Sequence, residues 1–147
     1  MRKMLFALGI AMALVAVTAM SASAMRPDHA DKKRVMVPDE DRFSPFAITI
    51  HAGGTVQWQN NDTDNHTVVS DDAFNTAGHQ GFDMILGANG GTLKLTFTHP
   101  GTFVYYCRFH AALDAFNQPT APGPDGGIQG SDGNFGTPMS GVITVLP

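Results

Sequence analysis

Residues 105–113 read YYCRFHAAL and contain the only cysteine in the chain, Cys107, with His110 three positions later. A second histidine, His66, opens a predicted strand directly after the polar turn NNDTDN, and Met139 directly precedes the last predicted strand. In a protein built of short strands, these three loop regions can meet at one end of the fold. A thiolate, two imidazoles and a thioether would then share one site. Thiolate and thioether suit Cu(I), while imidazole suits both Cu(I) and Cu(II). A trigonal His₂Cys set with a weak axial Met is the donor set of a copper site that passes single electrons.

The solitary thiol is unusual in a chain that reads as exported. Arg2 and Lys3 precede Met4–Met20, a run of 17 uncharged residues, and Ala22 and Ala24 supply the small residues of a cleavage site. The run falls short of the ~20 apolar residues that cross a bilayer comfortably. Residues 1–24 therefore read as a signal peptide cleaved near Ala24, which places the mature protein in the periplasm or outside the cell, with no membrane anchor. Exported proteins generally pair their cysteines, so an unpaired one is reactive, intermolecular, a ligand, or a buried inert thiol.

Without its leader the chain has the size of one domain. Removing Arg2 and Lys3 leaves seven basic against thirteen acidic side chains, a formal charge of −6. No basic cluster suggests nucleic acid, and the acidic balance favours a positively charged protein partner. Four of the eight methionines lie in the leader, which speaks against a methionine-based copper carrier.

The elements that must position the site read as β. Residues 25–34 form a polar N-terminal tail, and a domain spans 35–147. FAITI (46–50) places Phe46, Ile48 and Ile50 on one face, and TVQWQ (55–59) places Val56 and Trp58 inward. HTVVS is a short strand, and TLKLTFT (92–98) turns Leu93, Leu95 and Phe97 inward. TFVYYC (102–107) aligns Phe103, Tyr105 and Cys107, with Tyr106 facing away from the core, and GVITVLP closes the chain. Residues 71–91 read as a long connection with a helical turn near Phe82–Leu86. Alternating strands between Gly, Pro, Asn and Asp turns indicate an all-β Greek-key sandwich. Residues 111–138 stand apart: 28 residues with six glycines and four prolines, too long for an ordinary hairpin loop.

The chain resembles the cupredoxins, and among them the plastocyanin, pseudoazurin and amicyanin group. FSPFAITIHAGGTVQWQNND is similar to the paired strands that lead to the first ligand, and NHTVVS to the first-histidine strand. FTHPGTFVYYCRFH is similar to the Tyr-Tyr-Cys-x-x-His segment, and PMSGVITV to the closing strand. The resemblance implies one copper ion cycling between Cu(I) and Cu(II), with His66, Cys107, His110 and Met139 as ligands. It implies a monomeric carrier, not an enzyme, moving single electrons between a donor and an acceptor protein such as a cytochrome or a copper or haem enzyme. Alternatives are copper storage or delivery, an open copper site with small-molecule reactivity, and a metal-free adhesion module.

The resemblance also assigns supporting roles. Asn65 and Thr67 are candidates to orient His66 and to hydrogen-bond the sulfur. The edge of His110 would reach the surface through an apolar patch of Ala111, Ala112, Leu113 and Phe116. Tyr106 would offer a second, remote route. The long segment departs from the family, in which the second histidine and the methionine lie only a few residues apart. Leu113 stands where amicyanin-like spacing would place the methionine, and Asp114 and Gln118 are rival oxygen donors for the axial position. His29, His51, His79 and His99 have ordinary turn, tail or surface explanations. Asp62, Asp64, Asp71 and Asp72 form either a solvated turn or a docking surface for a basic partner.

Overall fold

The computed structural model describes residues 31–38, 40–70 and 81–147. The leader at 1–24, His29, His79, Asp71 and Asp72 lie outside them. Ten strands are found in this part of the chain: β1 (Lys32–Val37), β2 (Ala47–His51), β3 (Gly54–Asn60), β4 (His66–Ser70), β5 (Phe82–Leu86), β6 (Thr92–Phe97), β7 (Gly101–Tyr106), β8 (Ala112–Leu113), β9 (Pro119–Ala121) and β10 (Ser140–Leu146). Among the described residues no helix is long and apolar enough to cross a membrane.

Two sheets make the sandwich, one ordered β1-β3-β6 and the other β2-β10-β7-β4-β5, while β8 and β9 form a separate ribbon. Side-chain alternation dictates which face each strand buries. In β3 every second residue is buried, so Val56 and Trp58 point inward while Thr55, Gln57 and Gln59 are half-exposed. Val35, Val37 and Phe97 join them from the same sheet. Ile50, Val68, Phe103, Tyr105, Ile143 and Val145 face them from the other. The core is aromatic: Tyr105 meets Trp58 edge-on at 5.6 Å between ring centroids, and Phe97 meets Phe103 at 5.0 Å. Each fully buried apolar side chain contributes about 1.5–3 kcal/mol.

The all-β sandwich matches the expectation from strand alternation, but four local readings need correction. Phe82–Leu86 is strand β5 rather than a helical turn, paired antiparallel with β4 from Ser70↔Phe82 to His66↔Leu86. Its alternation is present, with Phe82, Met84 and Leu86 inward of Asp83 and Ile85, but polar flanks obscure a five-residue pattern. Lys32–Arg34 belongs to β1 rather than to a tail. The backbone pairs in parallel with β3 while the charged side chains stay in water. Phe46 is 57% exposed because it precedes β2, the edge strand of its sheet, and lies beyond the rim of the core.

Tyr106 is buried rather than exposed. It faces away from the main core as read, but Ala111 and Leu113 fold back over that outer face and enclose Val69 and Tyr106 in a second small cluster. The 111–138 segment is therefore structured: β8 pairs with β9, and further bridges join Gly123 to Gly126 and Ile128 to Thr137.

β10 passes so close to the core that Gly141 has no space for a side chain; a Cβ there would overlap the Tyr105 ring. Gly141→Ala is expected to destabilise the protein by about 1–3 kcal/mol through overpacking. A lowered denaturant midpoint with an unchanged transition slope is the measurement that checks it.

Candidate metal centre

β4 and β7 are antiparallel neighbours, so the start of β4 lies beside the end of β7. His66 is the first residue of β4, and Cys107 follows β7 immediately. Their pairing brings the Thr67 backbone N–H to 3.3 Å from Cys107 Sγ. The chain then makes a tight turn in which the His110 N–H donates to the Cys107 carbonyl. Met139 closes the arrangement through its backbone: its N–H donates to the His110 carbonyl, and its carbonyl accepts from the Cys107 N–H.

The result is a buried set of donors. His66, Cys107 and Met139 have no exposed surface, and His110 is 5% exposed. Cys107 Sγ lies 3.7 Å from His66 Nδ1 and 3.5 Å from His110 Nδ1. One ligand atom from each of His66, Cys107 and His110 lies within 4.8 Å of the other two. A metal bonded to sulfur and nitrogen at about 2.0–2.3 Å in a trigonal plane separates those donors by about 3.5–3.8 Å. The two sulfur–nitrogen distances fall in that range, so the residues fit a bound copper ion. Met139 shares the core cluster of Cys107.

Leu113 and Asp114, two of the rivals for the axial position, are engaged elsewhere. Leu113 packs in the outer cluster with Val69, Tyr106 and Ala111. Asp114 Oδ1 accepts the N–H groups of Phe116 and Gln118, and the Gln118 carbonyl accepts the Asp114 N–H. These bonds make 114–118 a self-contained turn.

The ionisable groups perturb one another. Burial opposes ionisation of Cys107, but hydrogen bonds from His110, His66, Thr67 N–H and Phe109 N–H prevail and bring the thiol down to about 6. Burial likewise opposes charging of the imidazoles. The hydrogen bond to Cys107 and its charge prevail, aided by Asp62 at His66 and Asp41 at His110, and both histidines are raised. The thiolate thus faces ring protons on both histidines, and a metal ion bound there would displace them, so uptake releases protons.

Supporting roles divide differently from the sequence reading. Thr67 serves twice, with its N–H toward sulfur and its hydroxyl oxygen accepting the Arg108 N–H at 2.9 Å. Asn65 instead accepts the Ala88 N–H, tying its turn to the β5–β6 connection. Asp62 is buried, with Oδ2 3.3 Å from His66 Nε2, so it is not a solvated turn residue. The cleft at His110 is bordered mainly by carboxylates, and Ala111, Ala112, Leu113 and Phe116 are not among its lining residues. Ala111 is buried and Phe116 is 76% exposed. The cleft beside His110, about 350 Å³, is lined by Asp41, Asp64, Asn65, Phe109 and Asp125. His51 hydrogen-bonds Asp31 at the surface, and His99 contacts Thr98 in its turn, both remote from the thiol as expected.

Sequence reading missed Asn60, a fully buried polar residue at the end of β3. Its amide donates to the Asp64 carbonyl at 2.7 Å, and its side-chain oxygen accepts the Asp62 N–H at 2.9 Å. Its backbone exchanges hydrogen bonds with Gly90 and Gly91. That partner turn uses Asn89 and Gly90 at positive φ, a conformation these two residue types tolerate best. Asn60 thus shapes the turn that delivers His66. The available signal was Asn at an inward position of an alternating strand.

The fold and the donor set define a class: a β-sandwich with one thiol and two imidazoles buried at one end, the cupredoxin arrangement. The family described as "Copper binding proteins, plastocyanin/azurin family" matches residues 31–115, and the chain belongs to it. The match includes His66, Cys107 and His110 and ends before Met139. Chloroplastic plastocyanin from Oryza sativa subsp. indica is 34% identical over 106 residues, covering 65% of this chain and 67% of that protein. Plastocyanin A/B from Petroselinum crispum is 33% identical over 73 residues, 47% of this chain and 75% of that protein. Amicyanin from Paracoccus versutus superposes with a TM-score of 0.50 at 20% identity, over 79% of this chain and 82% of that one. A Cu-containing nitrite reductase from Thermus scotoductus SA-01 gives 0.52 at 24% identity, over 88% of this chain but 25% of that one. The two structural likenesses establish the fold.

Asn60→Ala is expected to cost about 1–3 kcal/mol, because it leaves buried backbone groups without partners. Asn65→Ala, which removes a bond at the surface, is expected to cost less. Paired denaturation curves check the order of the two.

Proposed function

We infer that the protein is an exported one-electron carrier with copper held by His66, Cys107 and His110 and Met139 in the axial position. The convergence of Cys107 Sγ with two imidazole nitrogens at 3.5 and 3.7 Å, in a buried and internally hydrogen-bonded setting, carries this reading. Copper would supply a centre that gains and loses one electron between Cu(II) and Cu(I). The protein's part is to hold the donors in one arrangement suited to both states. Strand ends and the Met139 backbone bonds restrict the donors, and the Thr67 N–H stabilises charge on the sulfur. Little then needs to move when the electron does.

Electron transfer between a donor and an acceptor protein follows from this reading, as does a monomer working in the periplasm or outside the cell after cleavage near Ala24. Burial of all four proposed ligands supports a closed carrier site over one open to small molecules.

The test is reconstitution with Cu(II). The expected outcome is an intense thiolate-to-copper absorption that bleaches on reduction and returns on oxidation, with reversible one-electron voltammetry. Protein that takes up copper and stays colourless would overturn the reading. Cys107→Ser is expected to abolish the colour. Met139→Leu is expected to keep it and shift the potential, because the axial ligand tunes that property. Leu113→Ala is expected to leave the potential unchanged.

A further inference from the structure

Both imidazoles turn Nδ1 toward Cys107 and Nε2 toward a carboxylate. His66 Nε2 is 3.3 Å from Asp62 Oδ2, and His110 Nε2 is 3.3 Å from Asp41 Oδ1. The two carboxylates come from different connections, Asp62 from the β3–β4 turn and Asp41 from the β1–β2 segment. Neither is a free surface charge: the Asp62 side chain is 12% exposed and that of Asp41 is 21% exposed.

Each carboxylate is held in place by its own connection. Asp62 Oδ1 accepts the Thr63 N–H, and the Asp62 N–H donates to Asn60, leaving Oδ2 directed at the ring. The Asp41 segment is pinned by paired backbone bonds between Met36 and Ser44 and by buried Phe43. Glu40 and Arg42 pair with each other, so the charges flanking Asp41 are occupied.

We propose that Asp41 and Asp62 are positioning residues for the two histidine ligands, Asp62 as the hydrogen-bond acceptor of the His66 Nε2 proton and Asp41 as the ion-pair partner facing the His110 Nε2 proton. This rests on the copper-site reading above. A ring whose Nε2 carries the proton has its Nδ1 lone pair available to the metal, so the carboxylate fixes the tautomer as well as the orientation. It also makes the ring a stronger donor. Stronger donation and added negative charge favour Cu(II) over Cu(I), so the pair lowers the reduction potential. Asp41 has a further effect. It covers the Nε2 edge of His110, so a partner approaching along that edge meets a carboxylate-lined cleft in place of a bare imidazole.

The test uses the copper-loaded full protein and the variants Asp41→Ala, Asp41→Asn, Asp62→Asn and Asp125→Asn. Asp125 lines the same cleft as His110 and serves as a charge control. The measurements are Cu(II) affinity by chelator competition, reduction potential by voltammetry, and exchange of the ring Nε2 protons by nitrogen-15 NMR of the Cu(I) form. Asp41→Ala is expected to weaken Cu(II) binding about 10–100-fold, raise the potential and speed exchange of the His110 ring proton. Asp41→Asn and Asp62→Asn keep an oxygen acceptor. They are expected to retain slow ring-proton exchange while the potential rises. Asp125→Asn is expected to change all three measurements less than Asp41→Ala does.

An Asp41→Ala protein with unchanged affinity and ring-proton exchange would overturn the proposal. So would an Asp125→Asn protein as strongly affected as Asp41→Ala, because the effect would then be one of general charge. A coloured, redox-active wild type with inert Asp41 variants would reject this inference alone. A colourless wild type would reject the copper-site reading itself.

Discussion

Everything at the metal end depends on the burial of a thiol and two imidazoles together, without water to solvate them. An unpaired buried charge is costly, so each such group needs a partner supplied by the fold. Cys107 receives the Thr67 N–H and faces both rings. Each ring has a carboxylate behind it. These partners come from the β1–β2 segment, the β3–β4 turn, the start of β4 and the end of β7. The site is thus a property of the whole end of the sandwich. The requirement explains why Asn60, which touches no donor, matters to the geometry: it holds the turn that carries both Asp62 and His66.

Much of this was legible because β alternation is a short-range signal. Val56, Trp58, Phe103, Tyr105 and Cys107 fall on the buried side by counting in twos, and all are buried. His66, Cys107 and His110 were legible because the short segments that carry them resemble those of the family to which the chain belongs. What escaped was long-range. Tyr106 faces outward as its strand position dictates, but a segment beginning five residues later folds back over it. Asp62 looked like one polar residue among many in NNDTDN. Only the tertiary fold aims its side chain at His66. Asp41 carried no signal at all, since its link to His110 spans most of the domain. Phe82–Leu86 failed for a different reason: five residues are too few to establish a period when Gly and Asn surround them.

The 111–138 segment has a consequence for how the chain tolerates change. Its two ends are fastened by the bonds of Met139 to Cys107 and His110, so the ring is closed at its base. Between those points, loop-closure entropy grows only logarithmically with length, by about 0.6 kcal/mol per doubling. Ala111, Leu113 and Asp125 are tied to the body of the domain, so residues are most easily added or removed in the exposed stretch 129–137. That stretch therefore behaves like an interchangeable rim on a fixed socket. It can change its contacts while the backbone bonds of Met139 to Cys107 and His110 stay in place.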